Sequence, residues 1–132
     1  MTLSIHASFL PADDLEASLS FYRDILGFEV REEGPHGITV EPPGGQGTTI
    51  VLRPPDTDPR LTGEERATIA ELMAKGCYAT ILLATRDLIA TFDRIQATGA
   101  DVVQEPLTHP HGVRDCAFRD PAGNLVRIEQ RA

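Results

Sequence analysis

His109 and His111 flank a proline in His109-Pro110-His111-Gly112, and no other two histidines of this chain lie so close. Two imidazoles at that spacing bind metal when a carboxylate or thiolate adjoins them. This Pro- and Gly-bounded run has neither, so it reads as a solvated lid segment before a strand. Cys77 and Cys116 become nucleophiles only where a base or cation holds the thiolate. The sequence places neither group beside either sulfur, and both thiols are expected to be buried and inert. Gly44-Gly45-Gln46-Gly47 lacks the following helix and lysine that phosphate binding needs, and no G-x-S-x-G or Walker pattern occurs.

The elements that must carry these residues are written twice. An apolar strand, Asp-Leu, an amphipathic helix, Gly and further strands occur over residues 3–53 and again over 78–130. The first copy runs Ile5–Leu10, Asp14-Leu15, a helix to Gly27, then Phe28–Val30. The second runs Tyr78–Ala84, Asp87-Leu88, a helix to Gly99, then Ala100–Val103. Asp13 or Asp14 caps the first helix, with Leu15, Leu19, Tyr22 and Leu26 at helical spacing. Asp87 caps the second, with Leu88, Phe92 and Ile95 on one face. Further strands are expected at 37–42, 47–53, 114–119 and 124–130, between Gly and Pro punctuation. Glu41 to Gly47 reads as a turn-rich connection and Pro54 to Pro59 as an irregular one. Thr62-Gly63-Glu64-Glu65 has the form of a capping box opening a helix to Lys75 within a 54–77 connecting segment. Two equivalent half-units can close around a shared concave site.

The chain has 132 residues, 41% of them hydrophobic and 24% charged, which suits one compact domain over 1–132. A net charge of −8, from 20 acidic against 12 basic residues, repels phosphate backbones and anionic lipid heads, so neither nucleic acid nor membrane is expected as a partner. No apolar run approaches the roughly 20 residues that span a bilayer. With no basic-then-apolar leader and two cysteines, the expected place is the cytoplasm, with reduced thiols.

The opening Asp-Leu, helix and Phe21-Tyr22-x-x-x-Leu26-Gly27-Phe28, the duplication, and the closing Gly112-x-Arg114…Phe118-x-Asp120-Pro121-x-Gly123-Asn124 together resemble the vicinal oxygen chelate superfamily. That superfamily includes glyoxalases, extradiol dioxygenases, bleomycin-resistance proteins and fosfomycin-modifying enzymes. The resemblance implies an α+β fold of two βαβββ modules forming a cupped mixed sheet, usually assembled as a homodimer, with a ligand or metal in each cup.

Members that do metal chemistry place a His on the first strand of each module and a Glu on the last. Metal held by imidazole and carboxylate clamps two adjacent substrate oxygens and stabilises an enediolate or activates dioxygen. Carried onto this chain, the His positions fall on Ala7 and Thr80, seven residues before Asp14 and Asp87, and the second Glu falls on Arg127, four beyond Gly123. Matching Ile50-Val51-Leu52 to Leu125-Val126-Arg127 puts the remaining position on Leu52. None is a good metal ligand, so no cofactor is expected. If Asp13 were the registered Asp, or a bulge followed Leu10, His6 would become the first-strand ligand, with Glu129 and His109 or His111 completing a displaced site.

Arg127 has two readings. It anchors a carboxylate, phenolate or quinone-like oxygen of a ligand, or it is paired internally with Glu129, Glu41 or Asp115. The functional expectation is metal-independent binding, in the manner of sequestration, of an organic small molecule in a cup lined by His6, Leu52, Tyr78, Thr80, Phe118, Leu125, Arg127 and Glu129, in a homodimer. A metal-dependent lyase, isomerase or dioxygenase centred on His6 and Glu129 is the alternative, and a metal-free acid–base enzyme using His6, Tyr78 or Glu129 is a third. With seven aromatic residues and no Trp, the sequence names no planar ligand.

Overall fold

The structure is a computed structural model and describes residues 1–44, 47–55 and 57–132. Gly45 and Gln46 of the expected 41–47 connection, and Asp56 of the 54–59 connection, lie outside the described residues. The chain forms two compact units, Met1–Glu71 and Leu72–Ala132, each built around a four-stranded mixed sheet. With three α-helices beside the two sheets among the described residues, the fold is α+β.

In the first unit the strands β1 (Ala7–Pro11), β2 (Glu29–Gly34), β3 (Gly37–Glu41) and β4 (Thr49–Arg53) lie in the order β1-β4-β3-β2. The β1 and β4 strands are parallel, and the other pairs are antiparallel. Parallel pairing needs a crossover, which α1 (Leu15–Leu19) begins. Asp14, not Asp13, caps it, its carboxylate accepting from Ala17 N at 3.1 Å. The helix then widens into a π-helical turn over Ser20–Ile25, where Leu26 N donates to Phe21 O. Tyr22 is fully buried there, edge-on to Phe21 and Phe28 at 5.1 and 5.6 Å between ring centres. The Phe-Tyr and Leu-Gly-Phe signatures are therefore core. Leu10, Val40, Ile50 and Leu52 are buried on the helix-covered face of the sheet.

The second unit repeats the plan with β5 (Thr80–Thr85), β6 (Asp101–Thr108), β7 (Arg114–Arg119) and β8 (Leu125–Gln130) in the order β5-β8-β7-β6. A helix, α2 (Gly63–Ala74), leads into it from a reciprocal capping box in which Thr62 N donates to Glu65 Oε1 and Glu65 N to Thr62 Oγ1. The crossover helix α3 (Leu88–Gln96) is capped by Asp87 and covers Cys116, Phe118, Val126 and Ile128, with Phe92 and Phe118 ring centres 5.3 Å apart. The Asp120-Pro-x-Gly-Asn motif is the β7–β8 turn. Asp120 Oδ1 accepts from Ala122 N and Asn124 N, and its Oδ2 from Asn124 Nδ2. Gly123 has φ +90° there, and a Cβ on it would strike the Met73 carbonyl oxygen of α2.

Two strands outrun the sequence expectation: β2 continues past Val30 to Gly34, and β6 past Val103 to Thr108. Both stand at the outside of their own sheets, where charge and proline are tolerated. Arg31-Glu32-Glu33 and Pro106 therefore sit inside strands, next to register shifts in the pairing.

Candidate functional site

The second sheet presents its uncovered face in cross-strand pairs. Thr80 stands opposite Leu125, Leu82 opposite Arg127, and Ala84 opposite Glu129. On the other side of β8, Arg119, Ala117 and Asp115 stand opposite the same three β8 residues. Because strand side chains alternate, these groups share one face. Of the sequence-selected residues the structure thus brings together Thr80, Leu125, Arg127 and Glu129. It removes Phe118, which pairs with Val126, turns to α3 and is fully buried. Leu82, which the sequence reading missed, is 57% exposed beside Arg127. Its place in the alternation with Thr80 was the available signal.

At the centre of that face lies a hydrogen-bonded cluster around Asp115. Its Oδ1 accepts from His109 Nε2 at 2.7 Å and Gln104 Nε2 at 2.8 Å, and its Oδ2 from Arg127 Nη1 at 3.2 Å. The same Nη1 donates to Gln104 Oε1 at 3.1 Å. Burial alone would push the Asp115 carboxyl up. Donors from His109, Gln104 and Arg127, with the guanidinium charge, outweigh it and hold the carboxyl below its ordinary range. Of the three partners weighed for Arg127, Asp115 is the one it takes. Glu41 is paired with Arg31, and Glu129 with Arg131 at 2.7 Å. His109 is no solvated lid: it follows β6 directly, and β7 brings Asp115 to its ring, against which His111 stacks at 5.3 Å. Gln104 reaches the cluster only because β6 is irregular on either side of it, which no sequence pattern announces.

Cys116, next along β7, is fully buried, and desolvation with the neighbouring Asp115 charge pushes its thiol up to about 11. Its burial is as expected. Cys77 departs from that expectation, since it is exposed.

In the first unit the equivalent face carries an open pocket of about 260 Å³ lined by Phe9, His36, Thr39, Val51 and Arg53, among others. The Arg53 guanidinium lies 3.9 Å from the centre of the Phe9 ring. Leu52 is fully buried on the opposite face, against the sequence match to Arg127. The pairing explains the slip. Phe9, five residues before Asp14, pairs with Val51, as Leu82, five before Asp87, pairs with Arg127. Val51 is therefore the counterpart of Arg127, and a shift of one residue had flipped the side chain to the core.

His6 precedes β1 and is exposed. Its carbonyl accepts from Thr49 N and Oγ1, which sets the start of the β1–β4 ladder, so His6 stands just before the strand and not on it. With Asp14 as the cap and no shift in the β1 pairing, neither device that would have made His6 a ligand is realised. Tyr78 is 44% exposed ahead of β5. Of the four positions carried over from the resemblance, Ala7, Thr80 and Arg127 stand and the pairing moves the fourth from Leu52 to Val51, and this donor set does not fit a metal. Among the described residues no three His, Cys, Asp or Glu side chains gather in a metal-holding group, and no helix is long and apolar enough to cross a membrane.

The family model "Glyoxalase/Bleomycin resistance protein/Dioxygenase superfamily" matches residues 4–128. The ethylmalonyl-CoA/methylmalonyl-CoA epimerase of Cereibacter sphaeroides is 32% identical over 130 residues, covering 89% of this chain and 90% of its own. Among solved structures, UcmS2 superposes with a TM-score of 0.86 at 29% identity, over 99% of this chain and 100% of that one. TnmS3, an antibiotic-binding protein from Streptomyces sp. CB03234, gives 0.75 at 27% identity, over 100% and 99%.

Proposed function

The chain belongs to the Glyoxalase/Bleomycin resistance protein/Dioxygenase superfamily, and on that premise we propose that it binds an organic small molecule without a metal ion, holding it over the uncovered sheet faces in a homodimer. The observation that carries this reading is the set Ala7, Val51, Thr80 and Arg127. Where metal chemistry in this family needs imidazole and carboxylate, this chain has a methyl, two short β-branched groups and a guanidinium. On the first sheet Phe9 supplies apolar wall beside Val51, and on the second sheet Leu82 and Leu125 supply it beside Arg127, whose head supplies polarity. The likeness to an antibiotic-binding protein supports sequestration over turnover. The epimerase relative points to an enzyme, but its chemistry would have to come from other donors.

The dimer is supported by the exposed apolar residues Val103 and Leu107 on β6, the outer strand of the second sheet, which a partner chain would cover. The test is to assay metal in protein purified without chelator and to titrate a panel of aromatic natural products by calorimetry, with and without EDTA and with Mn, Fe, Ni and Zn added back. The expected result is saturable binding indifferent to chelator. One tightly held ion per chain, lost in His6→Ala or Glu129→Ala, would overturn it in favour of the metal-dependent lyase, isomerase or dioxygenase.

A further inference from the structure

Arg127 uses only one corner of its guanidinium. Its Nη1 is committed to Asp115 Oδ2 and Gln104 Oε1, whereas among the described residues neither Nε nor Nη2 has a protein acceptor. Nη1 lies on the Cδ side of the group, so the two remaining donors are those along the opposite edge. That edge is the parallel N–H fork that matches the two oxygens of a carboxylate. The side chain is 31% exposed, so the fork is reachable. It is also held still. Gln104 donates to Asp115 Oδ1 while accepting from Arg127, and His109 donates to the same oxygen, so the carboxylate that orients the guanidinium is itself fixed from two sides.

From this geometry we infer that the ligand is an organic acid whose carboxylate docks on the Nε and Nη2 edge of Arg127 and whose apolar body lies on Leu82 and Leu125. The inference rests on the small-molecule reading above and narrows it to a chemical class. A guanidinium has donors only, so the ligand must bring acceptors, and two coplanar anionic oxygens satisfy both free donors at once. The Arg127–Asp115 pair is neutral overall, and the carboxylate further along β8, Glu129, is paired with Arg131, so the ligand's oxygens meet the N–H donors of Arg127 and no unpaired carboxylate of these two. Leu82 lies directly across the β5–β8 pair from Arg127, and Leu125 two residues along the same face, so an apolar ring attached to the carboxylate meets hydrocarbon on both sides.

The test uses two probes of one shape, 2-naphthoate and 2-naphthamide, titrated by NMR or calorimetry into the wild-type protein, Arg127→Gln and Arg127→Lys. The acid should bind about tenfold tighter than the amide, as a charge-assisted bidentate contact implies, and the preference should fall to near unity in both variants. Arg127→Lys keeps the charge but not the fork, so a preference retained there would overturn the bidentate mode. Circular dichroism and melting confirm that the variants are folded. Equal affinity for acid and amide in the wild type, or a preference that survives Arg127→Gln, would overturn the acid inference and leave small-molecule binding standing. Failure of both probes to bind at millimolar concentration would count against both.

Discussion

Asp115, with 7% of its side chain exposed, accepts from three side chains on two neighbouring strands and the loop after β6. Its folded-state carboxyl lies below the unfolded value of about 3.9, so its contribution to stability is complete above that value and is lost as pH falls through the lower folded one. Stability of the wild type should therefore decline below about pH 4, and Asp115→Asn should flatten part of that decline. At neutral pH the same variant leaves Arg127 half-buried without its anion, at a cost of about 1–3 kcal/mol. Urea melts of both proteins across the acid range check the two effects together. The neighbouring thiols give a second outcome at this scale. Cys77 is exposed and Cys116 buried with its thiol pushed up to about 11, so iodoacetamide should modify one thiol per native chain and the second only after unfolding. Rapid labelling of both in the native protein would contradict the packing of β7.

The two crossover helices and the turn after β7 show how local signals build each unit. Asp14 and Asp87 each cap a crossover helix with the same carboxylate-to-third-residue bond, and each helix covers the face of its sheet that carries the alternate apolar residues. The Asp120 to Asn124 turn depends on Gly123 in two ways. Its φ of +90° favours glycine, and its missing Cβ admits the Met73 carbonyl at the end of α2. Gly123→Ala should destabilise by about 2 kcal/mol or more, combining backbone strain with a backbone clash that no side-chain rotation relieves. Gly99→Ala, where positive φ is the same but the space is open, should cost less. Thermal melts of the two variants make the comparison, and equal losses would show that strain alone sets the cost.

At the scale of the whole molecule, one chain leaves Val103 and Leu107 exposed on the outer strand of its second sheet, and the proposed function covers them with a second copy. Sedimentation at micromolar concentration should give the mass of two chains, and Leu107→Glu, placing a charge on the outer strand, should shift it toward one. A monomer under all conditions would remove the dimer from the proposal. The duplication, the caps, the capping box and most strand positions were legible in the sequence, because each depends on neighbours a few residues away: a carboxylate three residues before an amide, a glycine where φ turns positive, an alternation of period two. Counted from the Asp caps and from Gly123, the family resemblance put its metal-ligand positions on Ala7, Thr80 and Arg127. What the sequence by itself did not determine was which residues meet across strands. Leu52 and Phe118 were placed on the wrong face because register between strands is set by pairing, and a slip of one residue inverts a side chain. The cluster of Gln104, His109, Asp115 and Arg127 joins residues up to 23 positions apart through an irregular outer strand. Only tertiary pairing decided it, because a hydrogen bond between distant side chains depends on where the backbone puts them and leaves no local trace.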